Sequence, residues 1–307
     1  QGRHLPVKTN YYDISETAAL GCQFNLIFGE RSNGKTTAAL LKVITDYTNG
    51  LGNGLYVRQM DMDIKGQRGN NVMASLRYGG ADKTTNLISI ASDNKYDQVK
   101  YFSRAWYLGT SQSDDTVLWE KEPFCYAVAL TNTKHDKSAT PPRIKNVVFD
   151  EFIPIDGRYI ADETVMFRQM LSTAIRDVDT VQVFLLANSI SWNSPYFEMF
   201  EASKIVRQME LGETVQLTLK GATAETKVAL EYCASTGGKK SDVYFTFADA
   251  SSAMITSGKF AVPDYPKCPH HFTARNVKAT YWFQLANNEV IRARLMRVER
   301  DMFVFVD

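Results

Sequence analysis

The chain has 307 residues, 44% of them apolar and 22% charged, with a formal net charge of +1 at pH 7. That length supports a full core and more than one domain, and the composition is that of an ordinary globular protein. No apolar run reaches the length of a membrane span, no secretory pattern opens the chain, and a near-zero charge leaves a polyanionic partner open only through a local basic stripe. Four cysteines (Cys22, Cys125, Cys233, Cys268) are scattered without a CxxC, which fits a reducing compartment and argues against a disulfide framework. Cys268, His270 and His271 are the closest approach to a metal cluster; with no second ligand pair, a Pro-rich turn is the better reading.

In chain order, 24–28 (FNLIF) reads as a buried strand, followed by a Gly-rich turn and a helix over about 35–47. A second strand is expected at 55–58. Segments 99–108 and 116–130 alternate apolar and polar residues around the polar turn 111–115, the pattern of an antiparallel β insertion. Two further β-branched runs lie at 147–149 and 181–187. Strands alternating with helices predict an α/β fold with a mostly parallel sheet covered on both faces. Beyond about 205, strands are expected at 215–219, 228–232, 243–247, 281–285 and 302–306, with one helical pattern at 289–298. This divides the chain into a domain at 1–205, a linker at 206–227 and a small α+β domain at 228–307.

The strongest motif is Gly29, Glu30, Arg31, Ser32, Asn33, Gly34, Lys35 and Thr36, a complete GxxxxGK[ST]. Backbone N–H groups of such a loop, extended into the helix at Thr37, can cradle phosphates. Lys35 would reach the β- and γ-phosphates, and the Thr36 hydroxyl would ligate Mg²⁺. The apolar strand before it and the helix after it outweigh a chance match. About a hundred residues on, 145–152 (KNVVFDEF) ends an apolar strand in two acids. Asp150 would hold the Mg²⁺ shell and Glu151 would polarise the attacking water, favouring hydrolysis of ATP over transfer to a small substrate. A third strand ends at Asn188, where a polar group could touch the γ-phosphate or its water.

Taken with VFDEFIP at 148–154, LLANSIS at 185–191 and SPYFEMF at 194–200, these motifs resemble the genome-packaging ATPases of small tailed phages of the phi29 type. The resemblance covers 24–58 and 137–200. It implies a P-loop NTPase fold of the additional-strand (ASCE) class with a vestigial RNase H-like C-terminal domain. It also implies an ATP-driven motor that moves double-stranded DNA into a preformed capsid as a homo-oligomeric ring, a pentamer in that family. Arg176 matches the arginine finger that enters a neighbouring subunit's site, and Lys137 a second basic residue at that interface. Arg31 resembles the P-loop arginine of terminase motors, Asn188 the coupling position, and Tyr11 and Tyr12 aromatics near the adenine, with core packing as the alternative.

The implied partners are double-stranded DNA, the capsid portal or connector, further copies of the chain and a structural RNA, with no membrane. The implied location is the host cytoplasm, docked to the procapsid portal. Asp249, Asp264 and Glu289 show no paired-metal pattern, so no nuclease is expected of the C-terminal domain. The chain departs from the family after 151, where Pro154, Ile155 and Asp156 precede Arg158; Lys65, Arg68, Arg77, Lys83, Lys95, Lys100 and Arg104 offer other phosphate contacts. The competing readings are another P-loop nucleic-acid motor (a helicase or conjugative pump), an ATP-gated assembly scaffold, and a small-molecule kinase.

Overall fold

The computed structural model describes residues 12–77, 85–132, 143–155, 157–175, 180–188, 191–221, 224–233, 273–284, 290–299 and 301–306. The chain enters through α1 (Ser15–Ala19) and forms β1 (Phe24–Gly29), α2 (Lys35–Thr48) and β2 (Asn53–Arg58). A 3-10 turn (Asp61–Asp63), α3 (Gln67–Ala74) and α4 (Leu87–Ala91) lead to β3 (Gln98–Phe102), β4 (Ala105–Ser111), β5 (Val117–Trp119) and β6 (Cys125–Ala129). Next come β7 (Ile144–Asp150), α5 (Glu163–Ala174), β8 (Gln182–Asn188), α6 (Pro195–Met199), α7 (Ser203–Val206), β9 (Thr214–Lys220) and β10 (Glu225–Cys233). A separate group holds β11 (Val277–Gln284), β12 (Val290–Val298) and β13 (Asp301–Val306).

The large sheet has the order β3-β4-β6-β2-β7-β8-β1-β10-β9, with β5 paired to β4. Its six central strands, β6 to β10 in that order, run parallel; β3, β4 and β9 are antiparallel additions at the margins. The near-continuous apolar runs explain the centre. β1, β7 and β8 are buried almost throughout, as strands covered on both faces must be. Side chains alternate between the two faces. Leu26 and Phe28 pack with Phe167, Met170, Tyr196 and Phe197 of α5 and α6. Ile27 points the other way, into Ala39, Leu40, Val43 and Ile44 of α2. Each fully buried side chain of this size contributes about 1.5–3 kcal/mol, so the two helical layers hold the C-terminal ends of the strands in fixed register.

Mixed α/β architecture with a large, mostly parallel sheet agrees with the sequence reading. Two expectations are corrected. The supposed linker 206–227 contains β9 and the start of β10, and 228–232 lies within β10, so these strands belong to the large sheet rather than to a C-terminal domain. A hydrogen-bonding partner is a tertiary property; the alternation of β9 reads the same whichever sheet it joins. The division into compact units falls instead between Gln1–Val262 and Pro263–Asp307. The helical pattern at 289–298 is strand β12, because 3.6-residue apolar spacing in a short segment yields to cross-strand pairing with β11 and β13. Within the expected antiparallel insertion, 99–108 forms the β3–β4 hairpin. Ser103 and Arg104 both take positive φ (48° and 59°), the two-residue geometry that reverses a strand, without the Gly or Asn that usually announces it. The antiparallel insertion is present as β3, β4 and β5, and β6, which pairs parallel with β2, carries β4 into the main sheet. The strand expected at 243–247 lies outside the described residues.

The second unit, taken by itself, is a three-stranded antiparallel sheet in the order β11-β12-β13. Ala293, Met296 and Val298 are buried, whereas Tyr281, Trp282 and Phe283 are exposed.

Candidate active site

The site gathers at the C-terminal ends of β1, β7, β8 and β2, where parallel strands deliver their loops. β1 ends at Gly29, close beside β10; a Cβ there would stand 2.7 Å from the carbonyl oxygen of Cys233. The loop that follows turns through left-handed conformations at Ser32 (φ 62°) and Gly34 (φ 97°) and feeds directly into α2. Gly34 caps that helix with no side-chain bond, and no acidic residue lies in the first turn. Its N-terminal N–H groups and dipole therefore favour an anion in front of the loop. Lys35 is buried at 5% exposure, and its ammonium donates to the carbonyl of Glu30 (2.6 Å) and to Oδ1 of Asn33 (3.1 Å). Glu30 is buried, Thr37 half-buried and Arg31 exposed.

On the β7 side a charged network begins. The Thr36 hydroxyl donates to Oδ1 of Asp150 at 3.0 Å. Oδ2 of the same carboxylate accepts from the Tyr56 hydroxyl (2.8 Å) and from Arg58 Nη1 (3.4 Å), both on β2. Arg58 Nη2 reaches Glu151 Oε2 at 2.6 Å, and Glu151 holds a positive φ of 58°. The network continues to Asp63, 3.9 Å from Arg58, and from Asp63 to Arg68 at 3.6 Å. Burial, then the Asp150 charge, push Tyr56 well above the usual phenol range, so it stays a donor. Burial works against the Arg58 charge, but Tyr56, Asp150, Glu151 and Asp63 outweigh it and hold the guanidinium above its ordinary value. Thr36, Tyr56, Arg58, Asp63, Arg68, Asn71, Val72 and Asp150 line a cleft of about 370 Å³. Asn188 ends β8 level with Gly29, on the strand between β1 and β7.

On the β10 side the surroundings are closed. Tyr12 donates its backbone N–H to the carbonyl of Asn33 (2.9 Å) and its hydroxyl to Glu231 Oε2 (2.6 Å). The Thr17 hydroxyl donates to the same carboxylate oxygen. Burial raises the Glu231 carboxyl, and the Thr17 and Tyr12 hydrogen bonds counter it. Cys233 donates its thiol to the carbonyl of Phe28 at 3.2 Å, and burial pushes it up to about 12.

The sequence-derived residues Gly29 to Thr37, Asp150, Glu151 and Asn188 thus come together at one rim. Tyr12 is at that rim too, but its ring is buried at 7% exposure in the core, and the contact it makes with the loop is through its backbone. Tyr11, Lys137 and Arg176 lie outside the described residues, as do Cys268, His270, His271, Asp249, Asp264, Glu289 and Lys83. Tyr56, Arg58, Asp63, Thr17 and Glu231 were missed. Arg58 could have been found as the charged end of an apolar strand, and Glu231 as a lone carboxylate inside the run VALEYC. Several basic residues put forward for phosphate contact are engaged within the chain. Arg77 donates to the carbonyl of Val99, Lys100 lies 4.4 Å over the Trp119 ring, and Arg104 pairs with Asp61 at 2.7 Å.

Among the described residues no three His, Cys, Asp or Glu side chains converge as a metal site, and no helix is long and apolar enough to cross a membrane. The Thr36 hydroxyl and the Asp150 carboxylate are nevertheless hard oxygen donors 3.0 Å apart. That suits Mg²⁺, which is held by one or two protein ligands with phosphate and water completing its shell.

A strand–loop–helix turn thus faces two strand-end carboxylates at one edge of a mostly parallel α/β sheet, and comparison with known proteins narrows the reading. Residues 117–223 match the sequence model of the podovirus DNA encapsidation protein family (Gp16). The DNA packaging proteins of Bacillus phages phi29 and PZA are each 31% identical over 77 residues, 24% of this chain. That alignment spans only 23% of the length of those relatives. In fold, the N-terminal domain of the DNA packaging ATPase from bacteriophage phi29 superposes with a TM-score of 0.53 at 19% identity, over 75% of this chain and 99% of that one. The phi28 gp11 DNA packaging motor superposes with a TM-score of 0.58 at 14% identity, over 97% and 80%. The resemblance to phage DNA-packaging ATPases, suggested by the motifs, therefore extends to sequence matches and to the fold.

Proposed function

We propose that the chain is an ATPase that binds Mg-ATP on Gly29–Thr37 and uses its hydrolysis to drive double-stranded DNA into a preformed capsid. The observation that carries this reading is the 3.0 Å contact between Thr36 and Asp150, which joins the phosphate loop to the strand-end carboxylates. The loop N–H groups and Lys35 bind the phosphates, Lys35 exchanging its bonds to Glu30 and Asn33 for phosphate oxygens. Thr36 and Asp150 would hold Mg²⁺, which when bound supplies charge neutralisation between the β- and γ-phosphates. Glu151 accepts a proton from the water that attacks the γ-phosphorus, and ADP leaves with the bridging oxygen. Arg58 engages Oε2 of Glu151 at 2.6 Å, which leaves Oε1 to accept from a water. Asn188 stands between the two halves of the site, where it can contact the γ-phosphate or the water.

Arg31 from the loop and Arg176 and Lys137 from a neighbouring subunit complete the charge stabilisation, in a ring with its sites at subunit interfaces. The C-terminal unit docks the capsid portal or the neighbouring subunit. The resemblance to phage packaging ATPases supports these assignments. The test is DNase-protected DNA after purified protein is mixed with empty proheads, DNA and ATP. Protection with ATP and none with a non-hydrolysable analogue is expected. ATP-dependent unwinding of a forked duplex without capsids would replace this reading with a helicase.

A further inference from the structure

The flank of the phosphate loop opposite Asp150 carries a carboxylate that the hydrolytic scheme does not use. Glu231 lies near the end of β10, the parallel neighbour of β1, opposite Ile27 in register. Its Oε2 accepts two hydroxyls, those of Tyr12 and Thr17, both from the segment that precedes β1. Tyr12 in turn donates its backbone N–H to the carbonyl of Asn33, at the crest of the loop. The Asn33 side chain accepts from both the backbone N–H (3.3 Å) and the ammonium (3.1 Å) of Lys35. A continuous chain of hydrogen bonds thus runs Glu231–Tyr12–Asn33–Lys35. Tyr12 (7%) and Thr17 (3%) are buried, so water is poorly placed to replace the two hydroxyl bonds if the carboxylate is lost. The chain does not include Asp150, Glu151 or Arg58, which hang from β7 and β2 on the other side of β1 and β8.

We propose that Glu231 is a positioning residue for nucleotide binding: by anchoring Tyr12 it holds the Asn33 crest, and through it Lys35, in the geometry that receives phosphate. The proposal rests on the reading of Gly29–Thr37 as the nucleotide site. It separates two tasks, with the β10 flank setting how tightly nucleotide is held and the β7 flank setting how fast bound nucleotide is cleaved.

The experiment compares wild type, Glu231→Ala, Glu231→Gln and Tyr12→Phe in the full chain, reading the Kd of N-methylanthraniloyl-ATP, KM and kcat for ATP, and Tm. Glu231→Ala should raise Kd and KM about tenfold, ~1.4 kcal/mol, as loss of hydrogen bonds to a charged group allows, with kcat changed less than about twofold. Glu231→Gln keeps a carbonyl that accepts both hydroxyls and should return Kd to near wild type. Tyr12→Phe removes one bond and should raise Kd by a smaller factor, with no further rise when combined with Glu231→Ala. If Glu231→Ala does not fold, Tyr12→Phe and Thr17→Val carry the same test. A Kd unchanged in every folded variant, or a loss of kcat as large as the rise in KM, overturns the proposal. Wild-type protein that fails to bind the probe at all refutes the nucleotide site itself, a distinguishable result.

Discussion

β1 has two unlike neighbourhoods. Toward β8, β7 and β2 it faces a charged, open cleft in which Asp150, Glu151, Arg58, Asp63 and Arg68 are linked at 2.6–3.9 Å. Toward β10 it faces a closed wall in which one carboxylate serves two hydroxyls and the Cys233 thiol donates to the Phe28 carbonyl, beside backbone bonds and apolar packing. Charge and access to water are needed where a phosphate is attacked, and rigidity where a loop must keep its shape against a departing and returning ligand. On the proposed reading the two sides serve those separate demands, so substitutions on them should fail in different ways.

The largest effect is expected at the centre, where the two sides meet. Lys35→Ala should abolish measurable binding of a fluorescent ATP analogue and lower ATP turnover by ~100-fold or more, since a charge-assisted phosphate contact is lost. Retained binding would mean that the loop is held by something other than its lysine. On the open side, Glu151→Gln should leave that binding within about threefold while hydrolysis falls by ~10²–10⁴, the usual scale of a general base. Equal losses in binding and turnover would erase the contrast between the flanks. Arg58→Ala leaves two adjacent carboxylates without their shared cation; because the group is partly solvated, thermal unfolding should register about 1–3 kcal/mol of lost stability, less than a fully buried pair would cost. On the closed side, Gly29→Ala sets a methyl group 2.7 Å from the Cys233 carbonyl. It should cost about 1–3 kcal/mol of stability, with a weakened nucleotide affinity that kcat does not share. The smallest effect concerns Cys233 itself. With its thiol pushed up to about 12, it should resist iodoacetamide at pH 8 in the folded protein, as peptide mass spectrometry would show, and label at once on denaturation.

The open side was legible in the sequence because its residues sit at the ends of strands whose apolar runs are self-announcing. FNLIF before Gly29 and VVF before Asp150 state both the strand and its last, functional residue. Parallel strands buried on both faces leave few alternatives. Tyr56 and Arg58 were harder, since LYVR reads as a strand but nothing local says that its neighbour is β7. On the closed side the strands were legible but their place in the sheet was not. Glu231 is 219 residues from the hydroxyl it receives at Tyr12, and the chain between them was divided at the wrong place. Local pattern marks 215–219 and 228–232 as strands, but sheet membership depends on pairing energies summed over the whole fold. The same limit explains β12, whose ten-residue pattern satisfies a helix as readily as a strand until β11 and β13 are present on either side.

The position of β10 also governs where this protein can be cut. A fragment designed to stop near residue 205 would remove β9 and β10 and leave β1 with one flank bare, its N–H and C=O groups from Phe24 to Gly29 no longer paired to Val228–Cys233. An unprotected, strongly apolar edge is a template for pairing with other chains, so such a fragment is expected to aggregate as well as to hold its phosphate loop loosely. On the proposed nucleotide-binding reading, a minimal fragment must run at least through Cys233, and its end is then set by a strand that local sequence pattern assigns elsewhere.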